Sequence, residues 1–167
     1  MGQFDPTAIF ETLNRHGVRY VVIGALAAVL QGWSQSTEDA DITPDRDVQN
    51  LVCLAAALTE LEAVALDNDG DPDPSRPLND QMLRISDRTP VMTKHGELDI
   101  VINPAAAKGY ADLVKDSKPL PVGRGVTVSV LSLRRVIESK EAVGRPKDMA
   151  IIPALKELEA AQQQKQP

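Results

Sequence analysis

Three acidic positions in this chain have the type and spacing to hold a cation: Asp39 and Asp41 in the triplet Asp39-Ala40-Asp41, and Asp99 in Glu97-Leu98-Asp99-Ile100-Val101. Carboxylates two residues apart on a strand point to the same face. A third, from another strand, can join them around a hard divalent ion. Mg²⁺ or Mn²⁺ suits such oxygen ligands, and Mg²⁺ is commonly shared between a few carboxylates and substrate phosphates. Gly24-Ala25 lies ahead of the triplet, just after an apolar run. Glycine adopts backbone angles that other residues avoid and leaves room for a phosphate to approach. The free N–H groups of a following helix attract anions. Together these features predict metal-assisted chemistry on a nucleotide. The plainer alternative is an ordinary turn at Gly24 beside solvated acidic strand faces.

The elements that must position these groups alternate along the chain. Asp5-Pro6 opens a helix, with Asp as cap and Pro at the first helical position, and Gly17 ends it. Tyr20 to Ile23 is continuously apolar, as a buried central strand should be. Leu26 to Leu30 reads as a helix closed by Gly32. Asp39 to Thr43 reads as a strand, with Ala40 and Ile42 facing away from the aspartates. Pro44-Asp45 is expected to start a longer helix with Val48, Leu51, Val52, Ala55 and Leu58 at helical spacing. Residues 67–80, rich in Asp, Pro and Gly, read as a loop. Residues 90–94 and 97–102 read as strands joined at His95-Gly96. Residues 105–115 read as a short helix. Residues 120–130 read as a hairpin around Gly123-Arg124-Gly125. Residues 131–141 and 146–161 read as helices, followed by a polar, frayed tail at 162–167. The expected architecture is a single α/β (α+β) domain over residues 1–161.

Composition narrows the function. The chain has 167 residues and is 43% hydrophobic, enough for one domain with a core. Aromatics are only 3% of residues, so no base-stacking platform is evident. The net charge of −6 argues against non-specific nucleic-acid binding by the whole surface. The single cysteine, Cys53, excludes an internal disulfide and a cysteine-based zinc site. No apolar stretch is long enough to span a membrane, and the N-terminus does not read as a signal peptide, so a cytoplasmic location is expected.

The segment RYVVIGALAAVLQGWSQSTEDADITPD resembles the opening motif of the nucleotidyltransferase superfamily, a Gly-Gly or Gly-Ser pair followed by D-x-D. In particular it is similar to the AbiEii-like bacterial group, many of whose members are toxins of toxin–antitoxin pairs. The later segment VLSLRRVIESKEAVGRPKDMAIIPAL resembles the C-terminal part of that group. The resemblance implies a nucleotidyltransferase-like mixed sheet flanked by helices. It also implies transfer of an NMP group from NTP to a hydroxyl, with pyrophosphate leaving. It places Asp39, Asp41 and Asp99 at the metal, with Asp99 also helping to activate the incoming hydroxyl. It sets Gly24 and Ala25 against the phosphates. A macromolecular acceptor, RNA or protein, and an antitoxin partner follow from the toxin-like resemblance.

Two departures from the family pattern stand out. The second small residue is Ala25, which lacks a serine hydroxyl. Where relatives commonly carry a basic residue before the D-x-D, this chain reads Gln35-Ser36-Thr37-Glu38. Gln35 and Thr37 can hydrogen-bond a phosphate without charge, and Lys140 is the substitute cation. Lys140, Arg145 and Asp148 form a second candidate site, in which Lys and Arg reach the triphosphate and Asp148 holds them in place. The bland alternative is an exposed, salt-bridged helix pair. His16 and His95 read as turn residues, Trp33 as a packing anchor near the entrance, and Arg134-Arg135 as a solvated basic pair. The departures also leave open a weak or inactive nucleotide- or partner-binding module.

Overall fold

Strand register decides where the acidic residues meet. A computed structural model of the chain describes residues 3–165. It begins with α1 (Pro6–Arg15), β1 (Tyr20–Ile23), α2 (Gly24–Leu30), β2 (Asp39–Pro44), α3 (Val48–Glu60) and β3 (Val64–Ala65). There follow α4 (Asp80–Ile85), the hairpin β4 (Arg88–Thr93) and β5 (Gly96–Val101), and α5 (Tyr110–Leu113), which leads into a 3-10 turn. A second hairpin, β6 (Ser117–Gly123) and β7 (Val126–Leu131), precedes α6 (Leu133–Val143) and α7 (Pro146–Gln164). The strands form one mixed sheet in the order β3-β4-β5-β2-β1-β7-β6. The pairs β2–β5 and β1–β7 are parallel and the others antiparallel. This is the mixed α/β single domain expected. No described helix is long and apolar enough to cross a membrane.

The two faces of the sheet divide the work. Ala40 and Ile42 pair with Leu98 and Ile100, and all four are buried. Tyr20 shares that face through its register with Pro44, and Phe10 of α1 stacks on it with ring centroids 6.0 Å apart. Burying these side chains removes apolar surface from water and anchors the sheet against α1. The other face carries the residues of opposite parity: Asp39, Asp41 and Thr43 on β2, and Glu97, Asp99 and Val101 on β5. The apolar face holds β2 and β5 in place, and the polar face displays the carboxylates.

Several element boundaries differ from the expectation. Pro44 ends β2 opposite Tyr20. The cap of α3 is Asp47, whose side chain accepts the N–H groups of Gln49 and Asn50. Helix α2 starts at Gly24, not Leu26. Strand β3 and helix α4, on either side of the acidic loop, were not read from sequence: Val64–Ala65 is too short for a pattern, and α4 begins where the Asn79 side chain accepts the Met82 N–H inside the loop composition. Residues 105–115 form no continuous helix. Gly109 (φ +87°) starts α5 late, and Ala106 takes a positive φ of 62° in the preceding turn. Helix α7 extends beyond Ala161 to Gln164, where the Gln162 amide donates to the Gln31 carbonyl.

Candidate active site

The site is built at the end of β1. Ile23 lies opposite Asp41, and the chain turns at once into α2 through Gly24. Gly24 has φ +68°, and a Cβ there would come within 2.2 Å of Asp41 Oδ2. Only glycine fits both the angle and the close approach. One strand over, Asp41 stands in register with Asp99, and Asp39 with Glu97. The three predicted carboxylates therefore share one face and adjacent strands.

They line a cleft of about 800 Å³. Gly24, Ala25, Thr37, Asp39, Asp41 and Asp99 form one side, and Lys140, Arg145 and Asp148 reach it from the α6–α7 hairpin. Trp33 and the turn Ala105–Ala107 supply apolar wall. Gln35 is the exception among the predicted residues. It is exposed and does not line the cleft, because the α2–β2 connection turns it to solvent while Ser36 and Thr37 face inward. The Thr37 hydroxyl donates to Asp39 Oδ1 at 2.9 Å.

Charge is balanced unevenly across the cleft. Asp41 is pushed up to about 7, first by burial and then by the neighbouring carboxylates of Asp39 and Asp99, against the pull of Arg88 and Lys140. Asp99 is also raised, chiefly by burial, although Arg88 Nε donates to its Oδ2 at 2.6 Å. Its other oxygen, Oδ1, is buried with no hydrogen-bond partner among the described residues. On the opposite wall, Asp148 accepts from Arg145 Nε at 2.7 Å and from Lys140 Nζ at 3.5 Å. The Arg145 hydrogen bond leads in holding its pKa below the usual carboxylate value.

Arg88 was not singled out in the sequence. Its signal was available in the hairpin register. Pairing from Thr93–Gly96 places Pro90 opposite Asp99 and Arg88 opposite Val101, on the face that carries the acids. Arg135 also lines the cleft, but Asp112 and Asp116 hold its guanidinium at 2.7 Å each. His16 pairs with Glu60 at the surface, and His95 sits in the β4–β5 turn. Neither histidine lines the cleft.

Among the described residues, no group of three or more His, Cys, Asp or Glu side chains stands close enough together to hold a metal ion. Asp99 commits one oxygen to Arg88 instead. The residues still suit a hard cation: every donor is a carboxylate oxygen, Asp99 Oδ1 lacks a partner among the described residues, and burial and the neighbouring carboxylates outweigh the cations near Asp41.

The sheet, with its flanking helices, has a nucleotidyltransferase-like fold. No family model matches the chain, and no curated protein matches it in sequence. Solved structures do match. A lincosamide antibiotic adenylyltransferase, LnuA, in its lincomycin-bound form, has a TM-score of 0.62 at 16% identity over 95% of this chain and 99% of its own. A Thermotoga maritima protein provisionally assigned as a nucleotidyltransferase has 0.55 at 17% identity, over 88% and 87%. The antibiotic-resistance factor ANT(2'')-Ia has 0.55 at 12% identity, over 96% and 92%. At these identities the likeness is one of fold.

Proposed function

We propose that the protein is a divalent-metal-dependent nucleotidyltransferase that moves an NMP group from NTP to a hydroxyl. The observation that carries the reading is the in-register placement of Asp41 beside Asp99, with Asp39 on the same face, beneath the Gly24 turn and across the cleft from Lys140 and Arg145. Asp39 and Asp41 are the principal metal ligands, with Asp99 completing the acidic face. A bound Mg²⁺ would neutralise phosphate charge and polarise the reacting phosphoryl group. Gly24 and Ala25 allow the triphosphate to lie close to the backbone. Lys140 and Arg145, aimed by Asp148, bind its oxygens and stabilise charge passing to the pyrophosphate. Asp99 is the carboxylate that would take the proton of the acceptor hydroxyl, a role supported by its buried, unpartnered Oδ1 among the described residues. The fold neighbours that act on antibiotics support the transfer chemistry.

A small-molecule acceptor is favoured over the macromolecular one suggested by the family resemblance. Trp33 and the turn at 105–107 give the cleft an apolar flank, the net charge is −6, and the adenylyltransferase neighbour of matching extent binds a small antibiotic. The toxin role and an antitoxin partner rest on the resemblance alone. So does Mg²⁺ as the particular metal, and a cytoplasmic location rests on the sequence. The test is transfer of label from α-³²P-NTP to candidate acceptors in Mg²⁺ or Mn²⁺. Asp41→Ala should lower the rate roughly a hundredfold or more, about 3 kcal/mol of transition-state stabilisation. NTP binding without any transfer would instead support the non-enzymatic module, and no NTP binding would end both readings.

A further inference from the structure

We propose that Arg88 takes the place of a second cation, so that this site works with one divalent ion rather than a pair. The inference rests on the transferase reading above and concerns how many ions the site holds. Arg88 begins β4 and reaches across the sheet face from solvent. Its side chain is 62% exposed, whereas that of the Asp99 it grips is 9% exposed. The contact, Nε to Oδ2 at 2.6 Å, is a charge-assisted hydrogen bond of the strong kind. It uses one of five guanidinium N–H groups, and no other hydrogen bond of Arg88 is present among the described residues.

A metal pair in phosphoryl-transfer sites sits about 4 Å apart and needs a carboxylate to bridge or approach both ions. Here the carboxylate available on β5 already has a fixed positive partner. A second divalent ion at Asp99 Oδ2 would have to displace the guanidinium or stand against its charge. Among the described residues no cation hydrogen-bonds Asp39 or Asp41: Asp39 takes a neutral hydroxyl from Thr37, and Asp41 feels Arg88 and Lys140 only through their charge. The same guanidinium leaves Asp99 Oδ1 free, so Arg88 is a positioning residue that assigns different duties to the two oxygens. Arg88 lines the cleft, where an anionic substrate group can take its unused N–H groups.

The experiment is electron paramagnetic resonance of Mn²⁺ bound to the full chain with a non-hydrolysable α,β-methylene NTP. The wild type should give a mononuclear six-line spectrum and bind one ion per chain. Arg88→Gln should bind two, with the broadened spectrum of a spin-coupled pair, and Arg88→Lys should remain mononuclear. A coupled pair in the wild type overturns the proposal, as does a mononuclear spectrum in Arg88→Gln whose circular dichroism shows it folded. If Arg88→Gln does not fold, the wild-type spectrum and that of Arg88→Lys decide alone. Loss of Mn²⁺ in Asp39→Asn and Asp41→Asn keeps the transferase reading whichever ion count is found. Failure of the wild type to bind Mn²⁺ and nucleotide at all ends both.

Discussion

Asp41 and Asp148 line the same cleft and are both largely sheltered from water, yet their acidities move in opposite directions. Asp148 is enclosed by Lys140 and Arg145 and is held below the ordinary carboxylate value. Asp41 is buried beside other carboxylates and is pushed up to about 7, first by that burial and then by their charge. One wall of the cleft is electrostatically complete in the protein alone, and the other is short of positive charge. A self-satisfied carboxylate orients its partners. A self-repelling one has free energy to gain from a cation, and a triphosphate with its metal brings that cation.

The largest effect should come from breaking the complete wall. Only 3% of the Asp148 side chain is exposed, and Lys140 beside it is 14% exposed. Asp148→Ala strands a buried ammonium, whereas Arg145, at 62% exposure, can return to water at little cost. We expect a loss of about 3 kcal/mol, or roughly 6–12 °C in Tm at pH 7. Because the folded pKa of Asp148 is lowered, its contribution is full above about pH 4 and disappears as the pH falls further. Calorimetry of the variant checks this. A Tm within about 1 °C of wild type at pH 7 would remove Asp148 as the organiser of the basic wall.

The acidic wall should respond with the opposite sign. In Asp41→Asn the repulsion is gone, so the metal-free protein should melt higher than wild type. The folded value of about 7 against the ordinary 3.8 means that the wild type is penalised fully above pH 7 and is relieved as the pH falls toward 4. Allowing for water in the cleft, the gain at pH 8 is about 2 kcal/mol, or roughly 4–8 °C. It should shrink steadily and vanish near pH 4. Melting curves in EDTA between pH 4 and pH 8 measure it. A gain that is the same at every pH, or a loss, would mean that the carboxylates are not in conflict.

The two walls were also unequally legible in the sequence. The acidic wall could be read because strand geometry has a strict period of two. Asp39, Asp41 and Asp99 fall on one face once the apolar partners Ala40, Ile42, Leu98 and Ile100 are assigned to the other. The glycine turn could be read because Gly24 interrupts an apolar strand. Arg88 needed long-range pairing: its relation to Asp99 exists only after the β4–β5 register is counted from its turn. The turn at residues 105–107 misleads because alanine is the best helix former, and tertiary context overrides that propensity here. Gln35 illustrates the converse. Its place in the motif suggested a phosphate contact, but the path of an irregular connection, which no periodicity encodes, leaves it in solvent. Asp148 was half legible: its spacing from Arg145 is that of helix neighbours, whereas its burial against Lys140 depends on how α6 packs on α7.

The smallest effect tests how the acidic wall keeps its shape without a cation. Thr37 Oγ1 donates to Asp39 Oδ1 at 2.9 Å and lies 3.3 Å from the Asp39 carbonyl oxygen, so the hydroxyl fixes the carboxylate from the residue two before it. Thr37→Val keeps the shape and loses the donor, while Thr37→Ser keeps the donor and loses the methyl. A neutral hydrogen bond at a partly exposed site contributes about 1 kcal/mol, so the melting temperature should change by only a few degrees in either variant. Metal affinity should be more discriminating, because a carboxylate free to rotate must be ordered when the ion arrives. Mn²⁺ titration should show roughly fivefold weaker binding for Thr37→Val and near wild-type binding for Thr37→Ser. Equal weakening in both would assign the effect to packing of the methyl group. In that case Asp39, like Asp41, would have no oriented partner, and the acidic wall would owe its geometry to the strands alone.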